Sequence, residues 1–231
     1  MVQWTSPYTC IMIDTGRHQV LIDTGAGQLG PDTGKLPGNL RAAGFAPDGI
    51  DTVVLTHGHP DHIGGNTDER GRIGFPKARF VMGEDEWNFW NGELTGLHGD
   101  EQLKKLLRQA ARRNLPPIRD QLDLIDRERE IVPGISAIPA PGHTPGHMAI
   151  SVASGGEHLL CLGDAMLHPI HVEEPDWHAL TDFSPEKTIA SRYKLLTFAM
   201  DLNARVFGFH FPFPGLGRIV RTPERWRWQP L

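Results

Sequence analysis

At 231 residues the chain can bury a core of its own, and its length fits one domain or two closely fused halves. A formal charge of −5, with 22% charged and 39% hydrophobic residues, argues against a nucleic-acid partner and against disorder. No apolar run reaches the roughly 18 residues of a membrane span, and the first residues lack a basic stretch, an apolar core and a cleavage site. The expectation is a cytoplasmic protein with a small-molecule substrate and no membrane partner.

Thr9 to Asp14 and Gln19 to Asp23 read as two strands around the turn Thr15-Gly16-Arg17-His18, ended by the glycine-rich Thr24-Gly25-Ala26-Gly27. Leu40 to Ala43 predicts a short helix, and the apolar run Asp51 to Thr56 a buried strand. Residues 79–82 predict another strand. Glu84 to Asn91 and Asp100 to Asn114 predict two helices, the second closed by Leu115-Pro116-Pro117 and packed through Leu103, Leu106, Leu107 and Ala110. Strand signals follow at 122–125, 135–138, 147–153 and 158–162. Ser184 as N-cap and Pro185 at the first helical position open a helix over 185–201, and Ala204 to Phe209 forms a last strand. Cys10 and Cys161 each lie in an apolar, strand-like run, so both are expected as free thiols. Strands and helices thus come in two series, each ending in loops with histidine or aspartate. That order suits a layered αββα sandwich, class α/β (α+β), with its site at the strand ends.

Four ligand-type side chains follow the strand at 51–56 directly: His57, His59, Asp61 and His62, within THGHPDHIGG. Gly58, Pro60 and Gly64-Gly65 allow a tight loop that aims them at one place. In an extended loop, alternation puts His57, His59 and Asp61 on a different side from His62, so one segment can serve two adjacent metals. Imidazole and carboxylate together suit Zn²⁺, Mn²⁺, Co²⁺ or Fe²⁺. Loop histidines ordinarily face solvent, but here the event recurs: His143 in PGHTPGH, Asp164 in CLGDA and His210 in FGFH each stand at a strand end.

With these motifs, and with Asp23 in LIDTG, the chain resembles the metallo-β-lactamase superfamily from about Thr9 to about Gly217. The resemblance implies one domain over 1–231 with that family's αββα sandwich, trimmed of the usual N-terminal strands. It implies that His57, His59 and His143 bind a first divalent ion, that Asp61, His62 and His210 bind a second, and that Asp164 bridges the two. Zinc is the expected metal, with manganese, cobalt or iron as alternatives. A shared carboxylate holds two ions roughly 3.5 to 4 Å apart, and metal-bound water ionises near pH 7. Asp61 and Asp164 are then the expected catalytic carboxylates, orienting the hydroxide or carrying a proton to the leaving group. Asp23 is expected either to orient a histidine or a backbone amide, or simply to end its strand. His147 is read as structural and His168 as a loop histidine.

Asp164, in place of the cysteine of zinc-type β-lactamases, and the ending HFPFPGLGRI are most similar to N-acyl-homoserine lactone lactonases and methyl-parathion hydrolases. The implied function is a binuclear hydrolase that uses a metal-bridging hydroxide on a lactone or ester. Alternatives are phosphotriester hydrolysis and a persulfide-dioxygenase-like oxidation with one iron. Leu167 stands where lactonases of this branch carry tyrosine, which counts against a quorum-quenching lactonase. Residues 84–90 (EDEWNFW), with Phe211 and Phe213, offer either an apolar substrate wall or ordinary core. A homodimer is among the expected assemblies.

Overall fold

The computed structural model describes residues 6–223 and 225–231. Contacts group the described residues into two units, Cys10–Asp126 and a second formed by Arg127–Leu231 with residues 6–9.

In the first unit, aliphatic runs form β1 (Ile11–Asp14), β2 (Gln19–Ile22), β3 (Thr52–Val54), β4 (Arg79–Gly83) and β5 (Leu122–Ile125), in sheet order β1-β2-β3-β4-β5. The hairpin β1–β2 is antiparallel, and β2 to β5 run parallel. Parallel strands covered on both faces are apolar throughout rather than alternating, and Thr52, Val53 and Val54 are all buried. Four helices belong to this unit: α1 (Leu36–Ala42), α2 (Pro60–Ile63), α3 (Glu84–Asn91) and α4 (Glu101–Asn114). Leu21, Val53, Leu55, Phe80 and Met82 pack against Trp90, Leu107, Ala111 and Leu115. Helix α1 starts earlier than its apolar pattern indicates because Pro37 occupies its first turn. Asp100 caps α4 by accepting from Leu103 N at 2.8 Å. The packed face of α4 is narrower than expected: Leu107, Ala111 and Asn114 are buried, whereas Leu103 and Leu106 are exposed.

The second unit contains β6 (Arg129–Val132), β7 (Ile135–Pro139), β8 (Met148–Ser154), β9 (Glu157–Cys161), β10 (Arg205–Phe207), β11 (Leu216–Arg221) and β12 (Trp226–Pro230). Strands β6 to β9 form an antiparallel meander. A crossover carrying α5 (Ile170–Glu173) and α6 (Pro185–Asp201) makes β10 parallel to β9, and β11 and β12 complete the sheet. Thr188, Ser191, Arg192, Leu195, Leu196 and Ala199 trace the buried stripe of α6 at helical spacing. Leu195, Leu196 and Ala199 pack on Ile138, Ala149, Leu160 and Val206. Strands β6, β11 and β12 do not announce themselves in sequence. The charged Arg129 and Glu130 mask β6, which is an edge of the sheet, as β12 is.

Both cysteines are free, Cys161 buried and Cys10 partly so. Among the described residues no helix is long and apolar enough to cross a membrane.

Candidate functional site

The loop after β3 is held from below by Asp23, the residue that follows β2. Asp23 adopts a left-handed conformation (φ 59°), which a short polar side chain tolerates. Its Oδ1 accepts from Thr56 N and its Oδ2 from Thr56 Oγ1, both at 2.8 Å. Oδ2 also lies 2.7 Å from His62 Nδ1, and both side chains are buried. A carboxylate only accepts here, so Nδ1 carries the proton and Nε2 presents its lone pair. Of the two expected roles for Asp23, the structure shows the first, with both a histidine and a backbone amide engaged.

His59 is the N-cap of α2, so the segment does not stay extended: Asp61 and His62 ride on a helical turn opened by Pro60. His57 Nε2 lies 3.0 Å from His59 Nδ1, the His57 and His62 ring centroids are 4.1 Å apart, and Asp61 Oδ2 is 3.7 Å from His62 Nε2. Glu86, fully buried on α3, accepts from Gly58 N at 2.8 Å and from Trp90 Nε1 at 2.6 Å. Trp90 meets His59 edge-on at 5.5 Å. A side chain at position 58 would enter the Trp90 indole, which explains glycine between the two histidines.

In the second unit His143, Asp164 and His210 come from the ends of three different strands. His143 follows β7, Asp164 lies in the 3₁₀ turn after β9, and His210 follows β10. Asp164 Oδ2 is 3.4 Å from His143 Nε2 and 3.2 Å from His210 Nε2. The far nitrogens are both engaged. His143 Nδ1 lies 2.9 Å from Asp182 Oδ1, and His210 Nδ1 lies 2.9 Å from the Pro7 carbonyl and from Ser6 Oγ. Because the carbonyl and the carboxylate accept only, each Nδ1 donates and each Nε2 is left to face the Asp164 oxygen. Two imidazole nitrogens aimed at one carboxylate oxygen call for positive charge between them. The donor set therefore fits a divalent cation. Burial disfavours a charged His143, but the carboxylates of Asp164 and Asp182 outweigh it and raise its pKa to about 9, so a proton takes the place on Nε2 that a divalent cation would otherwise occupy.

His147 is structural, as expected: its Nε2 accepts from Asp164 N at 2.9 Å and its Nδ1 lies 3.0 Å from the Ala140 carbonyl. His168 accepts from Ile170 N, and burial lowers its pKa. Phe211 is fully buried in the core against Trp228 and Phe213 is 82% exposed, whereas Trp90 of the anticipated aromatic wall meets the candidate ligand His59. In the sequence Thr56 stands beside a ligand-type histidine as an ordinary loop threonine, and Glu86 and Asp182 carry no mark of a site residue. Thr56 and Glu86 at least neighbour recognisable motifs, whereas nothing local marks Asp182.

The model of the metallo-beta-lactamase superfamily matches residues 5–210. An N-acyl homoserine lactonase of Bacillus thuringiensis is 27% identical over 158 residues, 68% of this chain and 54% of that protein. The N-acyl homoserine lactonase AiiB of Agrobacterium fabrum (strain C58) is 33% identical over 128 residues, 54% of this chain and 43% of that protein. The chain thus spans about half the length of the curated relatives it matches. Among solved structures, AidC, a dizinc quorum-quenching lactonase, superposes with a TM-score of 0.85 at 31% identity, covering 95% of this chain and 78% of that one. The hydrolase AbOPH gives 0.87 at 26% identity, covering 96% and 78%. These matches bear out the expected αββα fold class.

Proposed function

The chain belongs to the metallo-β-lactamase superfamily, and on that footing we propose that it is a two-metal hydrolase of lactones or carboxylic esters. In this reading the two units act as one domain. His57, His59 and His143 would hold one ion and Asp61, His62 and His210 the other, with Asp164 shared between the two sets. The observation that carries the reading is the Asp164 carboxylate facing two imidazoles whose outer nitrogens are already committed to acceptors. Divalent ions bound there supply Lewis acidity, polarising a carbonyl oxygen and making hydroxide available near pH 7.

The protein's own part is orientation and proton handling. Asp23 and Asp182 fix the rings of His62 and His143. Asp164 NH is held by His147, so the carboxylate it carries is aimed from a rigid turn. Asp61, partly exposed at the start of α2, receives the nucleophile's proton and returns it to the leaving alkoxide. Trp90, beside His59, shields one flank of the acyl group. The relatives' names support a lactone substrate. Leu167, where lactonases of this branch carry tyrosine, favours a broader lactone or ester range over a dedicated quorum signal.

Metal analysis should find about two divalent ions per chain, with hydrolysis of a γ-lactone, acyl-homoserine lactones or p-nitrophenyl esters that chelation abolishes and Zn²⁺, Mn²⁺ or Co²⁺ restores. Paraoxon-type phosphotriesters belong in the same panel, and preference for them would replace the ester reading. Full activity in metal-free protein would refute the proposal.

A further inference from the structure

Arg192 lies on the buried stripe of α6 and is fully buried. Taking a guanidinium out of water is costly unless its donors are met, and here they are met in an uncommon way. Nε donates to the Ala165 carbonyl at 2.6 Å, Nη1 to the carbonyls of Pro175 (3.2 Å) and Trp177, and Nη2 lies 3.5 Å from Asp182 Oδ2. Two of these partners adjoin proposed ligands. Ala165 follows Asp164 in the same 3₁₀ turn. Asp182 lies 2.9 Å from His143 Nδ1, while its Oδ2 also accepts from Ala179 N at 2.9 Å. Pro175 and Trp177 belong to the segment that leads into Asp182.

We propose that Arg192 is a positioning residue for metal binding: its planar fork sets the spacing between the Asp164 turn and the His143 ring by gripping Ala165 and Asp182 at once. The charge alone would not do this. A lysine ammonium is one point on a flexible stem and cannot reach Ala165 and Asp182 from fixed, separate nitrogens. The fork also explains why a cation interrupts an otherwise uncharged buried stripe. A leucine there would fill the volume but leave Asp182 buried without its counter-charge and the Ala165, Pro175 and Trp177 carbonyls without their donor. The inference rests on the metal-site reading given above.

The test measures Zn²⁺ affinity by competition with a chromophoric chelator, and the visible absorption of the Co²⁺-loaded protein, in wild type, Arg192→Lys, Asp182→Asn and the double variant. Arg192→Lys should weaken Zn²⁺ binding by about 10- to 100-fold and alter the cobalt spectrum. Asp182→Asn should do the same, and the double variant should lose little more than either single one, since both act on one path. Leu196→Val, a packing change on the same stripe, should lower stability and leave affinity and spectrum unchanged. Wild-type affinity and spectrum in Arg192→Lys would overturn the proposal. If Arg192→Lys does not fold, unchanged affinity in Asp182→Asn overturns it instead. Absence of metal binding by the wild type would bring down the metal-site reading together with this one, whereas wild-type binding with unaffected variants defeats the positioning role alone.

Discussion

The two candidate ligand sets are assembled on opposite principles. In the first unit, His57, His59, Asp61 and His62 come from one turn after one strand, and Asp23, Thr56 and Glu86 hold the backbone they share. In the second, His143, Asp164 and His210 arrive from the ends of three strands, and each needs its own support: Asp182 for His143, the His147 ring for Asp164, and Pro7 with Ser6 for His210. Ligands adjacent in sequence inherit their spacing from local chain geometry. Ligands distant in sequence have theirs imposed by buried polar groups, which puts more of the fold's stability at stake in the second unit.

The largest expected effect tests that asymmetry directly. Asp182→Ala strands the Arg192 cation in the interior and should cost about 3–5 kcal/mol in chemical denaturation. A loss under about 1 kcal/mol would break the comparison. Next in size is a pH effect confined to the same unit. Burial, and then the nearby Arg192 charge, depress the pKa of His171 from 6.5 to about 4. The folded chain therefore binds fewer protons than the unfolded one between those values. Stability is full above pH 6.5 and falls as pH drops towards 4, by up to about 3 kcal/mol. His171→Gln should flatten that part of the stability–pH curve; a curve unchanged by the substitution would dissociate His171 from it.

Asp23→Asn keeps the left-handed backbone and one acceptor, so the local set should lose only about 1–2 kcal/mol. A loss as large as that of Asp182→Ala would erase the distinction between the two sets. The smallest effect belongs to Leu180→Ser, at a position 92% exposed within the segment that carries Asp182. It should shift stability by no more than about 0.5 kcal/mol and leave Zn²⁺ affinity alone. A clear loss of affinity would mean the segment works through its surface rather than through Asp182.

What could be read from sequence follows the same division. His57 to His62 are legible because four ligand-type side chains share one segment, and helices α4 and α6 because a cap or a proline marks their starts. His143, Asp164 and His210 become legible only as a set. Their supports do not: Asp182 sits in an unpatterned loop and acts across the fold on His143. Arg192 left a faint mark, being a cation at the apolar positions of α6, but helical spacing alone does not say which acceptors await it. Strands β11 and β12 escaped notice because arginines and tryptophans interrupt the alternation that would mark them.

Gly58, Glu86 and Trp90 impose a constraint on anyone who would move this motif. The six-residue ligand turn is not a portable cassette: its backbone amide is tied to a carboxylate on a separate helix, and its missing side chain makes room for the indole on that helix. Grafted into another scaffold, or diversified at position 58 in a library, the turn would have to travel with both partners. Over evolutionary time, positions 58, 86 and 90 should drift together as one unit of inheritance.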